Sequence, residues 1–332
     1  MKGFKNLKKT FFIAEIGNNH EGNFKTAKKL IDKAKECAVD AVKFQTFDTN
    51  YYINKSEKER FAKLKSFELT QRDFKKLSVY SKKKGLKFIS TPFDISSAKF
   101  LSKIVDIFKI SSGDNNFYEL IKLCSSFNKP LIISTGMTNF NDVKKIIKIL
   151  DKAKFPKNKL ALLHCISDYP VKDNEANLLA IKFLKDKFPI TVGYSDHVMG
   201  IESCLAAVSL GAKIIEKHFT LDNNFSDFRD HQLSLNPKNM KQMIFASRRV
   251  ENMIGGYFKK ISKNEKKNLI STRRTIYFDT NLKKGTILKR KNLKVVRPFL
   301  STEPKDLSII LGKKLKKDVR DSELVNLKNL KN

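Results

Sequence analysis

Eight short apolar segments, separated by longer amphipathic ones, constrain the fold of this chain more than any other feature of its sequence. The short segments are rich in β-branched residues, and the longer ones, such as KTAKKLIDKAKECA, carry apolar residues at helical spacing. The predicted strands are residues 11–17, 41–47, 87–93, 107–113, 130–136, 160–167, 190–197 and 212–219. Alternation of strand and helix repeated in this way predicts an α/β fold, a (β/α)8 TIM barrel rather than an open sheet.

Polar side chains lie at the end of every predicted strand. They are Glu15, Lys43, Gln45, Ser90, Thr91, Lys109, Ser111, Ser112, Ser134, Thr135, His164, Ser167, Ser195, Asp196, His197, Glu216 and His218. The carboxyl ends of the strands of a parallel barrel meet on one face, where barrel enzymes place their active sites. We therefore expect an active site at that face.

The pattern changes near residue 250. Residues 256–272 are glycine-marked and then densely charged, which predicts a linker. Residues 273–332 contain short strand patterns with turn signals, and 281–293 resembles 314–327. The sequence thus predicts a catalytic barrel over 1–255, a linker over 256–272 and a small β-rich domain over 273–332.

Composition excludes several classes of protein. A chain of 332 residues with 41% hydrophobic content and no long apolar run can bury a large core and is not expected to span or bind a membrane. The four cysteines are far apart and lack CxxC spacing, which favours reduced thiols and a cytoplasmic location.

The net charge of +33 raises the possibility of a nucleic-acid or polyanion-binding protein without catalytic activity. However, lysines are spread through every helical segment and greatly outnumber arginines, and no aromatic-basic RNA motif accompanies them. We therefore expect a solvated basic surface and no nucleic-acid partner.

Two pairs of strand-end residues indicate chemistry. His197 and His218 end neighbouring strands and could hold a divalent metal, although each could instead form ordinary hydrogen bonds. Lys43 and Lys109 interrupt apolar strands, and a buried lysine is paired or functional. They could anchor a phosphate or carboxylate, or one could form a Schiff base; the small polar residues of 111–114 and 134–136 favour anion binding.

Two carboxylates are further candidates. Glu15 in the first strand and Asp230 after the eighth could orient water or bind sugar hydroxyls, or could pair with a nearby lysine. His20, in a polar first loop, is equally compatible with a site contact and with an ordinary turn.

The ordered motifs AEIGNNHEG, VKFQTF, FISTPFD, KISSGD, IISTGM, LLHCISDYP, VGYSDH and IIEKHFTLD resemble the bacterial N-acetylneuraminate (sialic acid) synthase family. The C-terminal segment resembles the antifreeze-like (SAF) domain of that family. The resemblance implies a homodimeric transferase of sialic acid biosynthesis, with each small domain reaching over the barrel of the partner. The resemblance further implies that such a transferase condenses phosphoenolpyruvate with an N-acylated hexosamine, typically N-acetylmannosamine, and releases phosphate.

The resemblance also implies residue roles. His197 and His218 would bind Mn²⁺, with Mg²⁺ or Co²⁺ as alternatives, and Glu15 would direct water. Phosphoenolpyruvate would be bound by Lys43, Thr91, Lys109, Ser112, Ser134 and Ser195, and the sugar by Gln45, Asp114, Tyr169, Asp230 and Arg297, the last from the partner's small domain.

Some positions depart from the family pattern, and all of them surround the expected sugar site. Ser167 and Asp114 stand where Asn and Glu are common, and SDFRDHQLS (226–234) replaces the usual loop after the eighth strand. The sugar could therefore be a 6-deoxy diamino hexose, giving N,N'-diacetyllegionaminate; pseudaminate is less favoured. A Schiff-base aldolase or lyase on Lys43 or Lys109 is the alternative reaction class.

Overall fold

The computed structural model describes residues 3–5 and 7–332, which form two compact units that divide between Gly255 and Gly256. The first unit is a closed barrel of eight parallel strands in sequence order, so the predicted TIM barrel is confirmed. The strands are β1 (Phe11–Gly17), β2 (Ala41–Thr46), β3 (Lys87–Pro92), β4 (Ile107–Ile110), β5 (Leu131–Ser134), β6 (Leu160–Cys165), β7 (Thr191–Asp196) and β8 (Ile214–His218).

Helices follow the strands because their apolar residues recur at helical spacing. In α7 the buried residues are Val143, Ile146 and Leu150, and Asn139 caps the first turn by accepting hydrogen bonds from Asn141 N and Asp142 N. The helices of this unit are α1 (Phe24–Glu36), α2 (Thr49–Tyr52), α3 (Lys58–Phe67), α4 (Gln71–Lys83), α5 (Ile95–Leu101), α6 (Tyr118–Ser126), α7 (Phe140–Lys152), α8 (Leu179–Lys187), α9 (Glu202–Ser209), α10 (Arg229–Leu233) and α11 (Pro237–Ile254).

The strands alternate between two buried layers. Residues of one parity form the core inside the barrel, which includes Ile13, Ala41, Ile89, Ile107, Ile132, Leu163 and Ile214. Residues of the other parity, such as Ala14, Val42 and Ile215, pack under the helices. Gly193 has the parity of the inner layer, and it leaves no room for a side chain, because a Cβ there would lie 2.4 Å from the Ile214 carbonyl oxygen and 2.6 Å from Leu163 Cδ2. The inner layer is therefore fully packed below the strand ends.

The second unit is a small β-rich fold, as predicted, with its own core of Ile276, Phe278, Leu288, Leu293, Ile310, Leu315, Val319, Val325 and Leu330. Two of its strands, β9 (Thr275–Phe278) and β10 (Leu293–Val296), are antiparallel, as are β11 (Lys314–Leu315) and β12 (Leu330–Lys331). The two similar segments contact each other through bridges from Leu282 to Val319 and from Ile287 to Lys314.

The segment predicted as a linker contains a helix, α12 (Lys263–Thr272), and a short helix α13 (Leu307–Ile310) lies further along. Ser262 accepts a hydrogen bond from Glu265 N, and the Glu265 carboxylate accepts one from Ser262 N, which is a capping box. This helix was not predicted because the segment is densely charged, although its capping signal was present in the sequence. Within the described residues, no helix is both long and apolar enough to cross a membrane, and all four cysteines are free and buried.

Candidate active site

Four ionisable side chains meet inside the barrel at the carboxyl ends of the strands. We call Glu15, Lys43, Lys109 and Glu216 the mouth cluster; each is at most 5% exposed. Lys43 Nζ lies 2.8 Å from Glu15 Oε2 and 3.6 Å from Glu216 Oε1, and Lys109 Nζ lies 3.7 Å from the same Glu216 oxygen. Strand register produces this arrangement, because Glu15 pairs with Lys43 across β1 and β2.

Hydroxyl groups surround the mouth cluster. Lys109 Nζ donates to Ser134 Oγ at 2.5 Å and to the Ile110 carbonyl at 3.1 Å. Lys43 Nζ lies 3.4 Å from Thr91 Oγ1, and Ser195 donates to Glu216 Oε1 at 3.1 Å. The contacts of both lysines with Glu216 are longer than hydrogen bonds, so both ammonium groups can bind an incoming anion.

Burial and charge pull the pKa values of the cluster in opposite directions. Burial raises the pKa of Glu15 by more than Lys43 lowers it. Burial lowers the pKa of Lys43, but the Glu15 and Glu216 carboxylates more than offset this, so the pKa of Lys43 is raised. Burial lowers the pKa of Lys109, and Glu216 only partly offsets it. Lys43 therefore remains a cation, whereas Lys109 is the lysine whose proton is held less tightly.

Beside the mouth cluster lies a histidine group, which we define as Tyr169, His197, His218 and Asp230. The rings of His197 and His218 have centroids 5.4 Å apart, and the Tyr169 ring lies 4.1 Å from that of His197. Asp230 Oδ2 is 4.0 Å from His218 Nδ1, which is too far for a hydrogen bond.

The two imidazoles fit a bound divalent ion. His197 Nδ1 is 2.8 Å from the Ile166 carbonyl, which can only accept, so this nitrogen carries the proton and Nε2 is free to bind. His218 Nδ1 is buried without a hydrogen-bond partner among the described residues, and burial, followed by the charges of His197 and Lys43, lowers the pKa of His218. No group of three or more His, Cys, Asp or Glu side chains in the described part of the chain could hold a metal. An ion here would need further ligands from water or substrate.

The other residues predicted to bind substrate lie outside the mouth cluster and the histidine group. Gln45 donates to Glu15 Oε1 at 3.3 Å, and Ser112 Oγ accepts from Gly136 N at 3.1 Å. Asp114 accepts a hydrogen bond from Ser111 in the turn after β4. Arg297 belongs to the second unit, where it is exposed and its Nε donates to the Thr272 carbonyl at 2.6 Å.

Several strand-end residues do not face the barrel mouth, contrary to the expectation that all of them converge there. His164 contacts the Ala176 carbonyl at 2.9 Å, and Ser90 lies 2.7 Å from Thr46 Oγ1. Asp196 forms a buried ion pair with Lys217. These side chains have the parity of the outer layer, so the pleat of the strand turns them away. His20 also stays outside the mouth cluster and accepts a hydrogen bond from Gly22 N.

Sequence reasoning assigned no role to Glu216, which links the two lysines, or to Arg229, which lies over Tyr169. Parity would have identified Glu216, because it shares the inner face with Ile214 and His218. Arg229 follows the strand, where parity gives no information.

Comparison with known proteins gives the family. The model of the NeuB family matches residues 30–259. This chain belongs to the NeuB family. The SAF domain model matches residues 273–331, which identifies the small unit as that domain.

Relatives of this NeuB-family chain match almost all of its length. An uncharacterized protein of Methanocaldococcus jannaschii is 42% identical over 95% of this chain and 93% of its own length. The N,N'-diacetyllegionaminic acid synthase of Campylobacter jejuni is 38% identical, over 96% of this chain and 99% of its own length. Among solved structures, the N-acetylneuraminic acid (sialic acid) synthetase of Leptospira borgpetersenii has a TM-score of 0.75 at 33% identity, covering 79% of this chain and 90% of that one.

Proposed function

We propose that this chain condenses phosphoenolpyruvate with an N-acylated hexosamine and water to give a nonulosonic acid and inorganic phosphate. The observation that carries the proposal is the mouth cluster, in which two buried lysines with unused hydrogen-bonding capacity lie close to the histidine group. Phosphoenolpyruvate carries a phosphate and a carboxylate, and two ammonium groups with surrounding hydroxyls match those charges.

Binding of phosphoenolpyruvate uses the groups around the lysines. Lys43 and Lys109 neutralise the substrate anions, while Thr91, Ser112 and Ser134 donate hydrogen bonds from the ends of β3 and β5 and from the turn after β4. Ser195, at the end of β7, donates to the substrate by turning its hydroxyl away from Glu216. Exclusion of water from this buried mouth strengthens each of these interactions.

The sugar lies on the side of the histidine group. His197 and His218 would hold the divalent ion, Mn²⁺ first with Mg²⁺ or Co²⁺ as alternatives, which supplies Lewis acidity toward the sugar aldehyde. Tyr169, Asp230, Gln45 and Asp114 bind the sugar through its hydroxyl and N-acyl groups.

The reaction then follows from the positions of these groups. The methylene carbon of phosphoenolpyruvate uses the electrons of its C=C bond to form a C–C bond to the aldehyde carbon, and the aldehyde oxygen takes up a proton that the water of the next step releases. Glu15, fixed by Lys43 and Gln45 and with a raised pKa, directs water onto the cationic carbon that results. The tetrahedral intermediate breaks its C–O bond, and phosphate leaves.

The proposal includes a homodimer in which Arg297 of one protomer meets the N-acyl group at the barrel of the other. The guanidinium group of Arg297 is exposed and uses Nε for Thr272, so its other N–H groups are available. Light scattering measures the mass of the protein in solution, which should be that of two chains. An Arg297→Ala dimer with an unchanged KM for the sugar would contradict this role.

Two sugars are candidates. The sequence motifs favour N-acetylmannosamine, which would give N-acetylneuraminate. A 2,4-diacetamido-6-deoxy hexose is the second candidate, and it is supported by the 38% identity to the N,N'-diacetyllegionaminic acid synthase of Campylobacter jejuni over 96% of this chain.

The test is phosphate release from phosphoenolpyruvate with each N-acylated hexosamine, with manganese and after chelation. We expect release that depends on both sugar and metal. The Schiff-base alternative, which the lowered pKa of Lys109 favours, predicts instead that borohydride traps pyruvate on the protein and that chelation has no effect. Absence of phosphate release with every sugar would exclude the proposal.

A further inference from the structure

Arg229, in the segment that follows β8, lies over the histidine group. Its guanidinium carbon is 4.4 Å from the centroid of the Tyr169 ring. Arg229 Nε and Nη2 lie 3.3 and 3.2 Å from Asp230 Oδ1. The side chain is nevertheless 60% exposed, so the guanidinium edge that does not face Asp230 is open to a ligand.

The position of Arg229 is set by buried contacts on its C-terminal side. His231 is fully buried, with Nδ1 2.6 Å from Thr220 Oγ1 and Nε2 3.3 Å from Glu21 Oε1. Asn19 then donates to Ser234 Oγ at 3.0 Å. The residues after Arg229 are therefore anchored to the loop after β1, which orders the guanidinium group before any ligand binds.

We propose that Arg229 determines sugar specificity by donating hydrogen bonds to the carbonyl oxygen of a second acylamino group on the sugar. The inference rests on the proposed function. A guanidinium group only donates hydrogen bonds, so a sugar substituent that uses it must be an acceptor. Tyr169 supports its face, which leaves the edge for the ligand, and the ring of Tyr169 contacts His197.

The pairing with Asp230 selects among acceptors. Asp230 already neutralises the charge of Arg229, so the pair offers directed hydrogen bonds without a net positive charge. A neutral amide carbonyl suits such a pair better than the dianionic phosphate of a sugar phosphate, which would also be repelled by Asp230. A hydroxyl can use the same donors, but it aligns less well with a planar fork than a carbonyl oxygen does.

The test compares Arg229→Gln with the wild-type protein on three sugars, which are the 2,4-diacetamido-6-deoxy hexose, N-acetylmannosamine and its 6-phosphate. With phosphoenolpyruvate and manganese, we expect the variant to lose roughly 10-fold or more in kcat/KM for the diacetamido sugar, the scale of a hydrogen bond to a charged group. For N-acetylmannosamine we expect a change of less than about 3-fold. Arg229→Lys keeps the charge without the fork and should recover only part of the loss.

Arg249→Gln is the matched control, because Arg249 is exposed near the C-terminal end of α11, at the end of the barrel opposite the carboxyl ends of the strands. It should leave all three rates unchanged.

Equal losses for both unphosphorylated sugars in Arg229→Gln would show that Arg229 only positions Asp230, and would overturn the inference. Unchanged rates would overturn it as well, as would a wild-type preference for the 6-phosphate. A wild-type protein that uses N-acetylmannosamine but not the diacetamido sugar would contradict the inference while leaving the proposed function intact, whereas no phosphate release with any sugar would contradict the proposed function itself.

Discussion

Glu216 and Lys217 are neighbours on β8, yet they belong to two different buried ionic clusters. Glu216 points into the barrel and belongs to the mouth cluster, whereas Lys217 points outward and pairs with Asp196 at 2.7 Å. We call Asp196 and Lys217 the outer pair. The two clusters have similar burial and both combine lysines with carboxylates, and they differ in how completely their hydrogen bonds are satisfied.

The outer pair is satisfied on every side. Asp196 accepts from Val198 N at 2.9 Å, Ser203 Oγ at 2.7 Å and Cys204 Sγ at 3.1 Å, and Lys217 also donates to the Val198 carbonyl. In the mouth cluster, Glu216 Oε2 is buried without a hydrogen-bond partner among the described residues. A saturated ionic cluster stabilises the fold, whereas an unsaturated one retains binding capacity for a ligand.

The largest expected effect is on the outer pair. Lys217→Met leaves the Asp196 carboxylate buried without its cation, and we expect the free energy of unfolding to fall by about 3–5 kcal/mol. Urea titration measures this. The rate of phosphate release per folded molecule should stay within about 2-fold of wild type, because Lys217 does not contact the mouth cluster. A large loss of rate in folded protein would show that the two clusters are not separate.

Lys109→Met should lower activity strongly and stability very little, the reverse of Lys217→Met. We expect phosphate release to fall by at least about 100-fold, since one of two cations that bind the substrate anions is removed. Stability should change by less than about 1 kcal/mol, because Glu216 keeps Lys43 and Ser195 as partners. Steady-state assays and urea titration on the same preparation check both expectations. A Lys109→Met protein with normal turnover would remove the mouth cluster from catalysis.

His20 shows the effect of burying an ionisable group that has no ionic partner among the described residues. Burial lowers its pKa from 6.5 to about 4, so the folded protein binds fewer protons than the unfolded chain between these pH values. Stability should therefore fall as the pH decreases from about 6.5 toward 4, by about 2 kcal/mol between pH 7 and 5. His20→Gln should remove this part of the pH dependence. Parallel stability curves for the two proteins would contradict the assignment.

The smallest expected effect concerns a neutral neighbour of the mouth cluster. Thr91→Val keeps the side-chain shape but removes the oxygen that lies 3.4 Å from Lys43 Nζ. We expect the KM for phosphoenolpyruvate to rise roughly 3- to 10-fold with little change in stability, the scale of one hydrogen bond. Ser203→Ala, which removes a donor to Asp196, is the matched change in the outer pair and should lower stability without changing KM. A loss of stability in Thr91→Val together with a raised KM in Ser203→Ala would show that the two clusters do not have separate roles.

The difference between the mouth cluster and the outer pair could be predicted from strand alternation, although the motifs alone do not show it. Strand alternation determines which residues face the barrel interior, and it separates Lys43, Lys109 and Glu216 from Ser90, His164 and Asp196. The barrel was predictable because its pattern repeats eight times. Distances were not predictable, because they depend on how neighbouring strands are staggered, as in the pairing of Glu15 with both Lys43 and His218.

The position of the segment after β8 could not be predicted from strand alternation. The segment that carries Arg229 is held in place by contacts of Ser226, His231 and Ser234 with the loop after β1, more than 200 residues earlier in the chain. Such long-range contacts leave no periodic signal. Helix α12 was missed for a different reason, since its lysines suggested a linker although Ser262 and Glu265 provided the cap.

That this chain condenses phosphoenolpyruvate with a sugar by a reaction in which the C–O bond of phosphoenolpyruvate breaks is tested most directly with an isotope. Phosphoenolpyruvate carrying oxygen-18 at the bridging position is incubated with the protein, manganese and the sugar that supports turnover, and the released phosphate is analysed by mass spectrometry. C–O cleavage transfers the label to inorganic phosphate, and this is the result we expect. Label that remains in the organic product would show P–O cleavage and contradict the proposed reaction.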